Sequence, residues 1–258
     1  MDSTLDYLTT ATTYDLSAFK CYAFRRGTDE VDGLSLALGN MVSGFPFAVE
    51  GVTFQNSECA YIAGMFSDGS DHHLEVQEAL HVETNGFMAK KRIRRFNEDR
   101  KREDWEEYNV MWMLYVVWCK CIGNEAFRSL LLSLPDDAVI IEDSTFQRGA
   151  TATFWGARND ALRTLHKSLD SVLKAEGVKK NRRKATLDSH RLGEWRNVGK
   201  FVGCNCMGKI LMLCRDALLQ EVVPPIDLEL LHRKKINLLG KILEFESIPT
   251  AILLKERA

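Results

Sequence analysis

The sequence predicts a helix-rich α+β fold built as a single domain with a small antiparallel sheet. Three observations carry that reading. Apolar residues recur at helical spacing in more segments than alternate at strand spacing, the clearest hairpin signal lies near the front at residues 45–54, and no segment repeats. With 258 residues, 45% of them hydrophobic, the chain has enough apolar surface for a sizeable core.

Residues 1–20 are rich in Thr, Ser and Asp without a sustained period, which predicts an irregular lead-in. Lys20-Cys-Tyr-Ala-Phe24 alternates weakly and runs into Arg25-Arg-Gly27, the pattern of a short strand entering a loop. Phe45-Pro-Phe-Ala-Val49 and Val52-Thr-Phe54, joined by Glu50-Gly51, read as a hairpin. Asn56-Ser57-Glu58 supplies capping chemistry ahead of an apolar run to Phe66, so a short helix starts near Ser57 with Glu58 in its first turn. Residues 73–83 and 86–96 suggest two more helices. The strongest helical pattern covers residues 103–121, where Trp105, Tyr108, Met111, Trp112, Tyr115 and Trp118 return every three to four positions.

Gly123-Asn-Glu125 opens a helix to Leu134, which Pro135-Asp-Asp stops, and Val139-Ile-Ile141 reads as a strand with Glu142 and Asp143 at its exit. An amphipathic helix over about 161–174 leads through Gly177 into a basic stretch without periodicity, so residues 159–200 or so read as an insertion. A helix running to Val222 follows the loop at Gly203, Pro224-Pro225 ends it, and residues 228–243 are expected to form a C-terminal helix. The expected organisation is a lead-in at 1–20, a main domain at 21–223 and a C-terminal helical segment at 224–258 packed on that domain.

A net charge of -2 argues against the whole-molecule basic field that drives nonspecific nucleic-acid binding. Positive charge is nevertheless concentrated in Lys90-Lys-Arg-Ile-Arg-Arg95 with Arg100-Lys-Arg102, and again in Lys179-Lys180-Asn-Arg182-Arg183-Lys184. Each run reads either as a solvated face or as a place to dock phosphates. Apolar runs end well before the ~20 residues of a membrane span, so no membrane association is expected. The acidic, polar N-terminus does not suggest export, and a cytoplasmic location is expected. Seven cysteines lie mostly within apolar helical patterns and read as free thiols in a reducing compartment. Cys119-Lys-Cys121 and Cys204-Asn-Cys206 lack partner ligands at zinc spacing, so no metal site is expected, and His72-His73 reads as a solvated turn.

The segment most suggestive of a ligand is Gly203-Cys-Asn205-Cys-Met-Gly208, a glycine-flanked polar loop directly before an apolar helix. Glycines there allow close approach, and N–H groups at a helix start attract anions. Taken with Phe47-x-Val49-x-Gly-x-x-Phe54-x-x-Ser57-Glu58, then Trp105, then Leu130-Leu-Leu132 with Ile140-Ile-Glu142, then Phe154-Trp155-Gly156, then Gly203-x-Asn205-x-x-Gly208-x-x-Leu211-Met212-x-x-Arg215, the order of motifs resembles the NADAR (YbiA-like) family. The resemblance covers about 22–220 without the insertion.

That resemblance implies a helix-rich α+β domain and an N-glycosidase that cleaves a ribosyl C1′–N bond. The expected activity is removal of ADP-ribose from guanine bases of nucleic acid. Alternatives are hydrolysis of a phosphoribosylamino-pyrimidine of the riboflavin pathway and an ADP-ribose- or NAD-binding module without turnover. Expected partners are ADP-ribose or an ADP-ribosylated nucleobase and a possible nucleic acid; no cofactor is implied. Glu58 matches the family glutamate thought to be catalytic, and a carboxylate suits the oxocarbenium-like state at C1′. Trp105 matches a tryptophan able to stack on a base or ribose. Trp155 and Gly156 match a pocket-shaping motif, and Asn205 with the Gly203 and Gly208 backbone is expected to hold phosphate or ribose oxygens. Arg215 is expected either to brace that loop or to touch ligand, and Arg25 and Gly27 are expected near a diphosphate. The family's aspartate three positions before the tryptophan is Ala152 here, so Asp143 or Glu142 is the expected substitute carboxylate. Met65 stands where the family has a lysine, and Cys59-Ala60 where it has His-Tyr. Lys179, Lys180, Arg182, Arg183 and Lys184 are expected to dock a polynucleotide.

Overall fold

The structure is a computed structural model and describes residues 4–250. In chain order it opens with helix α1 (Thr4–Thr9), strands β1 (Thr12–Asp15), β2 (Cys21–Phe24), β3 (Glu30–Val31) and β4 (Leu34–Ser35), and the hairpin β5 (Phe47–Val49) and β6 (Val52–Phe54). Helices α2 (Ser57–Met65), α3 (Asp71–Val82) and α4 (Gly86–Met88) follow, then a π-helix at Ala89–Arg94 and α5 (Arg95–Asn97). Next come α6 (Trp105–Gly123), α7 (Glu125–Leu132), β7 (Val139–Glu142), α8 (Thr151–Trp155), α9 (Asp160–Ala175) and α10 (Lys180–Leu192). The chain continues through β8 (Lys200–Gly203), α11 (Cys206–Leu219), α12 (Leu228–Arg233) and a last hairpin, β9 (Asn237–Leu238) and β10 (Lys241–Ile242).

The fold is α+β and helix-rich, as the periodicity indicates. It divides into two compact units: one holds the described residues up to Gly39 with Ser133–Met212, the other Asn40–Leu132 with the described residues from Leu213 onward. The strands of the described residues form five small two-stranded sheets. Four pairs are antiparallel, and the fifth, β2 with β7, is parallel.

In the first unit, Cys21–Phe24 runs beside Val139–Glu142 in register, with Ala23 opposite Ile141 and Phe24 opposite Glu142. The lead-in is not irregular: β1 pairs with β8, placing Thr12 opposite Gly203. The Lys209 ammonium fastens α1 by donating to the carbonyls of Tyr7 and Thr10, both at 2.7 Å. The insertion is also structured. Residues 180–192 form α10, which packs on α9, and Leu187 and Arg191 are its buried side chains. Two buried positions among many charges give a weak apolar stripe, which is why the period was not visible.

In the second unit, α6 is buried along nearly its whole length, and α2 packs on it. Gly64 makes that approach possible. A Cβ there would lie 2.2 Å from the Trp112 indole nitrogen, which donates to the Ala60 carbonyl at 3.1 Å. The hairpin turn holds Glu50 at φ 47° and Gly51 at φ 86°, the positive pair that a two-residue turn between twisted strands requires. The C-terminal helix is shorter than expected. It stops at Arg233 because Lys235, Leu239 and Gly240 all take positive φ, and the chain turns into the β9–β10 hairpin. His73 is buried rather than solvated, with its ring nitrogens at 2.7 Å from Asp68 Oδ1 and from the Arg100 carbonyl.

The described cysteines are free, and all but Cys204 are buried. No helix among the described residues is long and apolar enough to cross a membrane.

Candidate functional site

Glu58, Trp105 and Arg215 belong to the second unit, and the other expected site residues belong to the first. Glu58 stands in the first turn of α2. Asn56 caps that helix, its side chain accepting the Cys59 N–H at 2.9 Å, while the Glu58 N–H goes to the Asn40 carbonyl at 3.1 Å. Glu58 is only 5% exposed, and among the described residues no hydrogen bond or ion pair reaches its carboxyl group. Burial pushes its pKa up, and the nearby cations Lys90 and Arg94 pull against the shift.

Both cations come from the π-helix, which packs on α2. Four residues apart, they share a side of that segment, and the Arg94 Nε is steadied by Glu98 at 3.0 Å. One turn beyond Glu58 on the same face of α2, Tyr61 packs its ring 4.9 Å from that of Trp105, and Trp105 meets Tyr108 at 5.1 Å, edge to face. At 1% exposure Trp105 has no open ring face, so it buttresses Tyr61 instead of offering the stacking surface expected of it. Asn40 carries a buried Oδ1 without a hydrogen-bond partner among the described residues, beside the start of α2. Nothing in the residue pattern points to Asn40 or Tyr61, and the basic run does not reveal that two of its members lie near Glu58. Arg215 is buried, with its guanidinium 3.3 Å from Asp216.

In the first unit, both polar atoms of the Asn205 side chain are engaged inside the protein. Its oxygen accepts the Glu142 N–H at 3.0 Å and its nitrogen donates to the Ile140 carbonyl at 2.8 Å. Buried completely, it ties the loop to β7 and does not present an amide to phosphate, contrary to expectation. The glycines around it serve close packing. A Cβ at Gly208 would sit 2.2 Å from the Ile140 carbonyl oxygen, one at Gly203 2.6 Å from that of Gly156, and one at Gly156 2.5 Å from that of Glu142. Trp155 is half-buried, with its ring edge-to-face on Phe154 at 5.3 Å.

Asp143 lies at the exit of β7 as expected, but it is sealed. Its Oδ1 accepts the Thr145 N–H at 2.9 Å, and its Oδ2 has no hydrogen bond among the described residues and lies 3.8 Å from the Arg191 guanidinium. These two residues help line a cavity of about 20 Å³, room for about one water molecule, with Asn159 and Trp195. Arg191 also pairs with Asp29 at 2.6 Å. Arg25 is likewise engaged: its guanidinium pairs with Asp188 at 2.8 Å and lies over the Phe146 ring, and Arg26 pairs with the same carboxylate. Gly27 is exposed in the following turn. Of the basic residues 179–184, Arg183 is bound to Asp170 at 2.8 Å and to the Val178 carbonyl at 3.0 Å, while Lys179, Lys180, Arg182 and Lys184 are exposed.

No family model and no curated protein matches the chain. Among solved structures it is similar to the NMR structure of the E. coli protein YbiA, at 20% identity over 78% of this chain and 86% of that one, with a TM-score of 0.45. YbiA is the protein after which the family that the motif order resembles is called YbiA-like.

Proposed function

We propose that the protein hydrolyses a ribosyl C1′–N bond, with Glu58 as the reacting carboxyl group and ADP-ribose on a nucleobase as the substrate class. The observation that carries this reading is the buried Glu58 carboxyl, without a hydrogen bond among the described residues and with the cations Lys90 and Arg94 nearby. A carboxylate so placed is a stronger base than one in water, because burial favours its protonated form. As the C1′–N bond breaks, its electron pair leaves with the base and positive charge spreads over C1′ and the ring oxygen. Glu58 stabilises that charge and takes a proton from the water that attacks C1′. The two cations suit the phosphates of the same substrate. Tyr61, held by Trp105, fixes the floor on which Glu58 stands.

A binding module without turnover is the second reading, favoured by Ala152 in place of a carboxylate and by the sealing of Asp143 behind Arg191. The deciding experiment incubates guanosine- and thymidine-linked ADP-ribosyl oligonucleotides, an ADP-ribosylated protein and a phosphoribosylamino-pyrimidine with the protein and with Glu58→Gln. Release of an unmodified base by the first and a loss on the order of 10²-fold or more in the second support hydrolysis. Equal binding of ADP-ribose with no turnover by either leaves the binding module, and turnover of the pyrimidine alone moves the substrate to the flavin pathway.

A further inference from the structure

The surface from Phe87 to Phe96 carries features that the Glu58 chemistry does not use. Phe96 is 77% and Phe87 56% exposed, high values for rings that burial would stabilise. Between them Lys90, Lys91, Arg92 and Arg95 are exposed, and among the described residues none of the four makes an ion pair. Lys91 Nζ lies 5.9 Å from the centre of the Phe87 ring, so cation and ring stand side by side. The spacing repeats this arrangement: Phe87, Lys91 and Arg95 fall four residues apart, and so do Arg92 and Phe96. The π-helix that carries Lys90, Lys91 and Arg92 is a rare geometry found disproportionately at functional sites.

We propose that Phe87, Lys91, Arg92, Arg95 and Phe96 form a docking strip for single-stranded nucleic acid. A strand offers regularly spaced phosphates to the cations and unpaired bases to the rings, and stacking on a protein ring requires that the base be free of a duplex. An amphipathic membrane-surface helix needs its rings and charges on opposite faces, whereas here Lys91 stands beside the Phe87 ring. An acidic peptide would satisfy the cations and leave the rings unused. The four exposed cations at 179–184 have no exposed aromatic ring within their run, so they suit phosphate contact alone. The strip stands on its own observations; only the placement of its target nucleotide at Glu58, past Lys90, rests on the hydrolase reading.

The experiment measures binding of a labelled single-stranded oligothymidylate by fluorescence anisotropy across a salt series, using the full chain. Lys91→Gln/Arg92→Gln/Arg95→Gln is expected to lower the magnitude of the log–log salt slope by about 2. Phe87→Ala/Phe96→Ala is expected to weaken binding by about tenfold to a hundredfold with the slope unchanged. Both variants should keep the wild-type melting temperature and the wild-type turnover of a mononucleotide-sized ADP-ribosyl substrate. Neutralising Lys179, Lys180, Arg182 and Lys184 is expected to leave the ring-dependent part of binding intact. The proposal is overturned if the wild type does not bind the strand or if the Phe variant binds it normally. It is equally overturned if a duplex, polyglutamate or anionic phosphatidylserine vesicles bind as tightly as the strand. Strand binding that survives in a protein without hydrolase activity upholds the strip and removes only the reading of Glu58.

Discussion

Asp188 holds the Arg25 guanidinium at 2.8 Å, joining α10 to the loop after β2 across 163 residues of sequence. Arg26 shares the same carboxylate, and Arg191 Nε lies 3.8 Å from it, so three cations surround one anion within the first unit. The arrangement makes Asp188 the internal occupant of a site for a negative group. If Arg25 receives a diphosphate, Asp188 competes with it. Asp188→Asn is then expected to tighten ADP-ribose binding by about tenfold, measured by titration calorimetry, while lowering thermal stability because the half-buried Arg25 and Arg26 guanidinium groups lose a partner. Unchanged or weaker ADP-ribose binding would assign Arg25 to structure alone.

Lys120 supplies a second test, in the second unit. It lies on α6, completely buried, its Nζ without a hydrogen-bond partner among the described residues and 3.9 Å from the centre of the Phe127 ring. Burial pulls its pKa down to about 7, from an ordinary value of 10.5. The unfolded chain therefore binds more protons than the native one between pH 7 and 10.5, and stability rises with pH across that window. Below pH 7 both states carry the proton and the full cost of the buried charge remains. Lys120→Met is expected to stabilise the protein most at pH 6, by on the order of 4 kcal/mol, and progressively less toward pH 10. Denaturant melts at the two pH values check this, and an equal gain at both would show that Lys120 is not titrating in the native state.

Asn205 gives a prediction that separates support from ligand contact. Its side chain joins the Glu142 N–H to the Ile140 carbonyl, so Asn205→Ala leaves two buried backbone groups unpaired. A loss of about 2–4 kcal/mol is expected from denaturant melts, with ADP-ribose affinity per folded molecule unchanged. A large fall in affinity at unchanged stability would restore Asn205 as a ligand contact.

What was legible in the sequence follows from what periodicity and turn chemistry encode. The hairpin at Glu50-Gly51, the cap at Asn56 and the aromatic rhythm of α6 are local, and each appears where its residues predict it. The helix α10 was hidden because only Leu187 and Arg191 are buried on it, and Arg191 is held by Asp29 and not by an apolar stripe. The hairpin after α12 was hidden because Lys235 and Leu239 take positive φ, which their side chains do not advertise. At the site, Glu58 was legible from its motif and its cap, whereas the approach of Lys90 and Arg94 depends on how the π-helix packs on α2. Likewise Asn205 was legible as important, but only its partners show that it braces β7.

Glu58 itself yields a stability prediction independent of any substrate. Burial raises its pKa above the ordinary value of 4.5, so between that value and its folded one the native state holds a proton that the unfolded chain releases. Stability from this group is thus fully present below pH 4.5 and declines as pH rises through the folded pKa. Glu58→Gln keeps the shape of the protonated acid and removes the titration. The variant is expected to match the wild type in acid and to be more stable than it at neutral pH. Melting temperatures from pH 4 to pH 8 measure the difference. A variant less stable than wild type at pH 8 would mean that Lys90 and Arg94 stabilise the charged carboxylate more than burial penalises it, and Glu58 would then rest as an ion-paired anion.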